Sequence, residues 1–140
     1  MANYYTEFSV MLPLPAGENV QERLAAWSEQ MEARKEAADC DSEDEWLIGT
    51  HWELQKDGIW TYSYASEGNA EGTATLIQQY LRDFDIEGGI FMTIAGYCSK
   101  PRINEAWGAA VVVTKDDQMW LNTGEVLRQA AEAGIEVVNM

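Results

Sequence analysis

The amino-acid sequence predicts an α+β domain in which helices cover one face of a mostly antiparallel sheet. Two observations predict it. Short apolar runs of two-residue period are interleaved with longer runs of helical period, and a turn dipeptide, Asp57-Gly58, joins two of the short runs directly. At 140 residues the chain has the length of one domain, so residues 1–140 are read as a single α+β unit.

Each element has its own signal. Tyr4, Thr6, Phe8, Val10 and Leu12 share one face of an opening strand, which Pro13 and Pro15 end. From Glu18 to about Ala38 the period is helical, and Val20, Leu24, Trp27 and Met31 form one apolar stripe. A hairpin follows, from Trp46 to Lys56 and from Ile59 to Ala65. Asp57-Gly58 suits a type I′ turn, which needs positive φ at both central residues. A two-residue loop there places Gln55 opposite Trp60, Glu53 opposite Tyr62 and His51 opposite Tyr64, with Trp52, Leu54, Ile59 and Thr61 on the other face.

Asn69 caps a second helix, whose buried side holds Leu76, Ile77, Tyr80, Leu81 and Phe84. Gly88-Gly89 interrupts the chain before a strand from Ile90 to Cys98. Strands from Trp107 to Thr114 and from Gln118 to Leu121 flank Asp116-Asp117. A last helix runs from about Thr123 to Ala133, with Asn122 and Glu125 at capping-box spacing and Gly134 as its stop. Ile135 to Val138 suits a short edge strand. The order β-α-β-β-α-β-β-β-α begins with the six elements of the split βαβ, or ferredoxin-like, pattern. A hairpin and a C-terminal helix are appended to it.

Charge is the most unusual property. Twenty-four acids against nine bases leave a formal net charge of −15. Such a field repels nucleic acid and anionic membranes, so direct binding to either is not expected. The expected partner is a basic protein or a second copy of the chain. The acids are densest at Asp39, Asp41, Glu43, Asp44 and Glu45, which form a solvated loop because adjacent carboxylates resist burial. These five and Glu53 are the candidate acidic binding surface. Trp60, Tyr62 and Tyr64 on the hairpin are the candidate aromatic one.

No stretch approaches the roughly twenty apolar residues of a membrane span, and the first residues carry neither a basic nor an apolar signal region. A cytoplasmic protein with reduced Cys40 and Cys98 is expected.

No motif specifies a reaction, a metal or a cofactor. Cys98 with His51, the single histidine, has the residue types of a nucleophile and base, with Glu53 as an orienting carboxylate, but no elbow signature surrounds Cys98. Asp39, Asp41 and Glu43 repeat as in a calcium loop. Asp44 then stands where that loop needs Gly, and Thr50 where it needs Glu. The glycine pairs lack phosphate-cradling spacing. Lys100 and Arg102 form one basic loop, suited to neutralising neighbouring acids or gripping an anion.

The segments Trp60–Asn69, Cys98-Ser99-Lys100-Pro101-Arg102 and Trp107–Thr114 resemble a family of small proteins of uncharacterised activity carried by bacterial phages, plasmids and genomic islands. The resemblance runs from the opening strand to Trp120-Leu121-Asn122-Thr123. The chain departs from it at Gly108-Ala109-Ala110, where relatives have a run of glycines. It implies a mobile-element setting and no particular activity. In charge alone the chain is similar to DNA mimics, acidic proteins whose carboxylates stand in for phosphates in a basic groove. The sequence therefore points to a non-enzymatic binding protein. The alternatives are a small enzyme or ligand-binding domain with a pocket near Cys98, His51 and Arg102, and a homodimer joined through the aromatic hairpin face.

Overall fold

A computed structural model describes residues 4–64, 68–98 and 107–136. The chain is α+β, and every strand pairing among the described residues is antiparallel. In order it forms β1 (Tyr4–Glu7), β2 (Ser9–Pro13), α1 (Val20–Ala37), a 3₁₀ turn (Glu45–Leu47), β3 (His51–Gln55) and β4 (Gly58–Tyr62). Then come α2 (Ala70–Asp83), β5 (Ile90–Cys98), β6 (Trp107–Val113), β7 (Gln118–Asn122) and α3 (Thr123–Glu132). The strands make two sheets, β1-β5-β6-β7 and β2-β4-β3, rather than the one expected.

The split comes from the opening strand, which is two strands. Phe8 interrupts it, and its backbone leaves both ladders for Ser63. The Phe8 amide donates to Ser63 Oγ at 3.2 Å, and the Phe8 carbonyl accepts from the Ser63 amide at 3.1 Å. Residues before Phe8 pair with β5 and residues after it pair with β4. The alternation of faces survives the break: Phe8 and Leu12 are buried, Thr6 and Val10 half-buried, and Glu7, Ser9 and Met11 exposed.

The hairpin differs from its expected register by two residues. Gln55 pairs with Gly58, Glu53 with Trp60 and His51 with Tyr62, so Lys56-Asp57 is the turn. Among described non-glycine residues only Asn19 and Asp85 have positive φ, which rules out the mirror-image turn at Lys56-Asp57. Gly58 instead opens β4 at φ +148°, where a Cβ would lie 1.8 Å from the Leu12 carbonyl oxygen. Its lack of a side chain admits β2 and therefore sets the register. A shift of two keeps every residue on its predicted face, because the strand period is two.

Residues Trp46 to Thr50 are not strand. Turn hydrogen bonds from Leu47 to Asp44 and from Ile48 to Glu45 coil them, and Asn69 Nδ2 donates to the carbonyls of Trp46 and Ile48. Ile135 and Glu136 also lie outside any strand, and Val137 and Val138 lie outside the described residues.

Helix positions follow the expected faces. Leu24, Trp27 and Met31 are buried along α1, and Leu76, Ile77, Tyr80 and Leu81 along α2. They join Leu12, Trp52, Ile59, Met92, Ile94, Val111 and Val113 in one core drawn from both sheets. Trp27 meets Tyr80 edge-on at 5.2 Å and donates from Nε1 to Asp83 Oδ2 at 2.8 Å. Both asparagine caps form: Asn69 Oδ1 accepts from the Gly72 amide, and Asn122 Oδ1 from the Glu125 amide. Among the described residues no helix is long and apolar enough to cross a membrane.

Candidate binding surface

With the core on one side, each strand turns alternate residues outward. On β3 and β4 the outward residues are His51, Glu53, Gln55, Trp60 and Tyr62, followed by Tyr64. The aromatic surface predicted from the hairpin is therefore assembled. The rings of Trp60 and Tyr62 stack with centroids 4.2 Å apart. His51 lies 6.1 Å from the Tyr62 ring and 5.4 Å from that of Tyr64.

Hydrogen bonds fix these rings. Trp60 Nε1 donates to Ser9 Oγ at 2.6 Å, tying β4 to β2. Tyr62 Oη donates to Glu53 Oε1 at 3.4 Å, diagonally across the hairpin, and Gln55 Nε2 donates to Glu53 Oε2 at 3.3 Å. Partial burial, then the Glu53 carboxylate, pushes the Tyr62 phenol above its ordinary pKa. Partial burial and the Lys35 ammonium push His51 below its ordinary pKa, against an opposing pull from Glu32.

The acidic loop is built from its own residues. Asp39 Oδ1 accepts from the Asp41 amide at 2.9 Å, and Ser42 Oγ exchanges bonds with the Asp39 backbone. Asp39, Asp41, Glu43 and Glu45 are exposed. Asp44 is held by Arg34 Nη2 at 2.6 Å and Nε at 3.2 Å, and that hydrogen bond keeps its carboxyl below the usual range. Asp44 thus anchors the loop to α1. Among the described residues no three His, Cys, Asp or Glu side chains are grouped to hold a metal ion, so Asp39, Asp41 and Glu43 do not converge.

His51 begins β3 of one sheet, while Cys98 ends β5 of the other. The Cys98 side chain, Lys100 and Arg102 lie outside the described residues. Cys40 is exposed with a free thiol.

Sequence reasoning missed the residues on the far wall of the surface. Where β2 leaves β1, the outward face opens into a groove of about 520 Å³ lined by Glu7, Ser9, Trp60, Tyr62, Thr93 and Ala95, with Phe8, Ser63 and Ile94 at its floor and sides. Alternation places Glu7 and Ser9 on the outward face of the opening strand. It could not show that the strand breaks beside them. No lysine or arginine occupies an outward strand position among the described residues. Six of the described bases are engaged elsewhere: Arg23, Arg34, Lys35, Arg82, Lys115 and Arg128 bond carboxylates or backbone carbonyls. Comparison with family models, with curated proteins and with solved structures finds no match to this chain.

Proposed function

We propose that the protein is a non-enzymatic binding protein that docks a basic protein partner on the outward face of the β3–β4 hairpin, steered by its acidic surroundings. The observation that carries this is the Trp60–Tyr62 pair, stacked and hydrogen-bonded to Ser9 and Glu53 on an outward face whose described strand residues include no lysine or arginine, in a chain with net charge −15. Aromatic residues held in place supply contact area at little entropic cost, and surrounding carboxylates raise the encounter rate with a basic surface.

Two further inferences accompany it. Taking β1 and β2 as one strand bent at Phe8, the pairings run β3-β4-(β2/β1)-β5, which supports a split βαβ core extended by β6, β7 and α3. A cytoplasmic setting accords with the free surface thiol of Cys40. The DNA-mimic form of the proposal adds one requirement: the partner's basic groove must also be its DNA site.

The test uses a partner recovered by affinity capture and then purified. Its association rate should fall steeply with salt, since screening shortens to about 8 Å at physiological ionic strength. Neutralising Asp41, Glu43 and Glu45 as amides should slow association, whereas Trp60→Ala should speed dissociation. A partner whose rates respond to neither change refutes the proposal. Failure of DNA to compete removes the mimic form alone. Reversible dimerisation abolished by Trp60→Ala, seen by sedimentation, would assign the face to self-association instead.

A further inference from the structure

We propose that β7 is a self-pairing edge, through which two copies of this chain join antiparallel and fuse their four-stranded sheets into one. β7 is the last strand of its sheet, and β6 is its one strand neighbour among the described residues. Its sequence, Gln118-Met119-Trp120-Leu121-Asn122, has no charge and no proline. Edge strands that stay solitary are blunted by such residues, because open N–H and C=O groups otherwise template another strand. The other described edges are blunted. β1 carries Glu7, β2 lies beside β5 and ends on Pro13, and β3 carries Glu53 at its midpoint. A two-fold pairing of β3 sets Glu53 against its own copy, which like charges oppose.

Backbone and side chains suit one register. The Thr114 amide donates to the Asp117 carbonyl, so these two form a hydrogen-bonded pair at the β6–β7 turn. Alternation from there points the backbone groups of Met119 and Leu121 at β6, and those of Gln118, Trp120 and Asn122 at the free edge. A two-fold pairing centred on Trp120 lets the two Trp120 residues exchange backbone bonds. It sets Met119 opposite Leu121 of the other copy, and Gln118 opposite Asn122. Met119 is 57% exposed, Leu121 54%, and Trp120 38% although it shares the core face with Val111. The Trp120 indole N–H donates to Gln118 Oε1 at 3.0 Å, and Gln118 Nε2 reaches Thr75 and Gln78 of α2, so the edge is held before it pairs. The seam puts apolar residues opposite apolar ones and indole beside indole.

Charge selects a second copy as the occupant. Two chains of net charge −15 repel, and their approach costs least where no acid enters the seam. In this register Asp116 and Asp117 of the two copies lie at opposite ends of it. A basic partner finds no carboxylate on β7 and is drawn elsewhere.

The experiment is sedimentation of the full chain across concentration at low and high salt. A reversible dimer should form and tighten severalfold as salt screens the mutual repulsion, opposite to the salt response of a basic partner. Met119→Lys with Leu121→Lys should abolish it. Met119→Lys with Leu121→Glu should restore it, because the register sets the two new charges opposite each other across the seam. Trp60→Ala should leave it intact. Both β7 positions are exposed, so unfolding midpoints should hold; should they fall, amide exchange of the unsubstituted chain decides, with Trp120 N–H gaining protection as concentration rises. A chain that stays monomeric up to about 1 mM overturns the proposal. So does a dimer that survives Met119→Lys with Leu121→Lys, that the mixed pair does not restore, or that Trp60→Ala removes. A dimer that leaves Trp120 amide exchange unchanged overturns it too.

Discussion

The outward faces of the two sheets are made differently. On the three-stranded sheet two outward, half-buried rings are anchored: Trp60 to Ser9, Tyr62 to Glu53, and Glu53 in turn to Gln55. On the four-stranded sheet the outward residues from β5 to β7 are Phe91, Thr93, Ala95, Gly108, Ala110, Val112, Met119 and Leu121, none of them charged. Phe91 is 62% exposed, yet it has no polar tip to orient it. Outward apolar residues are thus common to both faces, whereas anchored rings are found on one. A net charge of −15 describes the chain as a whole and conceals an outward surface from β5 to β7 with no charged residue. The proposed docking of a basic partner falls on the anchored side, because a fixed ring and a fixed carboxylate lose little freedom when they bind.

The contrast extends to backbone. Gly58 in the three-stranded sheet has no room for a Cβ, whereas one at Gly108 in the four-stranded sheet would meet only the Ile94 carbonyl oxygen at 3.7 Å. Gly58→Ala should therefore separate β2 from β4 and cost on the order of 5 kcal/mol, with loss of the Trp60–Ser9 bond. Gly108→Ala should be neutral, or stabilise by about 0.4–1 kcal/mol through the unfolded chain. Urea denaturation of the two variants measures the difference, and equal costs would dissolve this part of the comparison.

Beneath the sheets, Trp27→Ala should cost about 3–5 kcal/mol, since it empties a site against Tyr80 and leaves Asp83 without its indole donor. An unchanged midpoint at unchanged slope would contradict the burial of Trp27. Its neighbour Tyr80 links stability to pH. Burial lifts the Tyr80 phenol to about 12, and its hydroxyl donates to the Pro13 carbonyl at 2.6 Å. Because the folded pKa lies above the unfolded value, this stabilisation is complete below about pH 10 and is lost as pH rises toward 12. The loss should amount to about 2–3 kcal/mol, and Tyr80→Phe should flatten that alkaline limb. The smallest effect belongs to the unanchored face, where Phe91→Ser should change stability by less than about 0.5 kcal/mol. A cost of several kcal/mol there would mean that the face is packed and the contrast between the sheets false.

Much of this molecule was legible in its sequence, and the legible part is local. The α1 stripe of Leu24, Trp27 and Met31, the asparagine caps of α2 and α3, and the faces of the hairpin all follow from spacing within one element. So do the two halves of the aromatic site on β4, because Trp60 and Tyr62 are two residues apart on one strand. The acidic loop was visible as a cluster of charge, but the Arg34 clasp on Asp44 was not, since it depends on how the loop folds back against α1.

The sequence by itself therefore determined the fold class, the helices with their buried faces, and the alternation that turns Glu53, Trp60 and Tyr62 outward. Only the tertiary structure decided where the opening strand breaks, which register the hairpin takes and where the groove lies. Alternation is a property of one strand and is unchanged by a shift of two, so it cannot choose between registers. That choice was made by Gly58 against the Leu12 carbonyl, 46 positions away in the chain, and by Trp60 reaching Ser9 across 51. Contacts of that separation exist only once both sheets have closed on their common core.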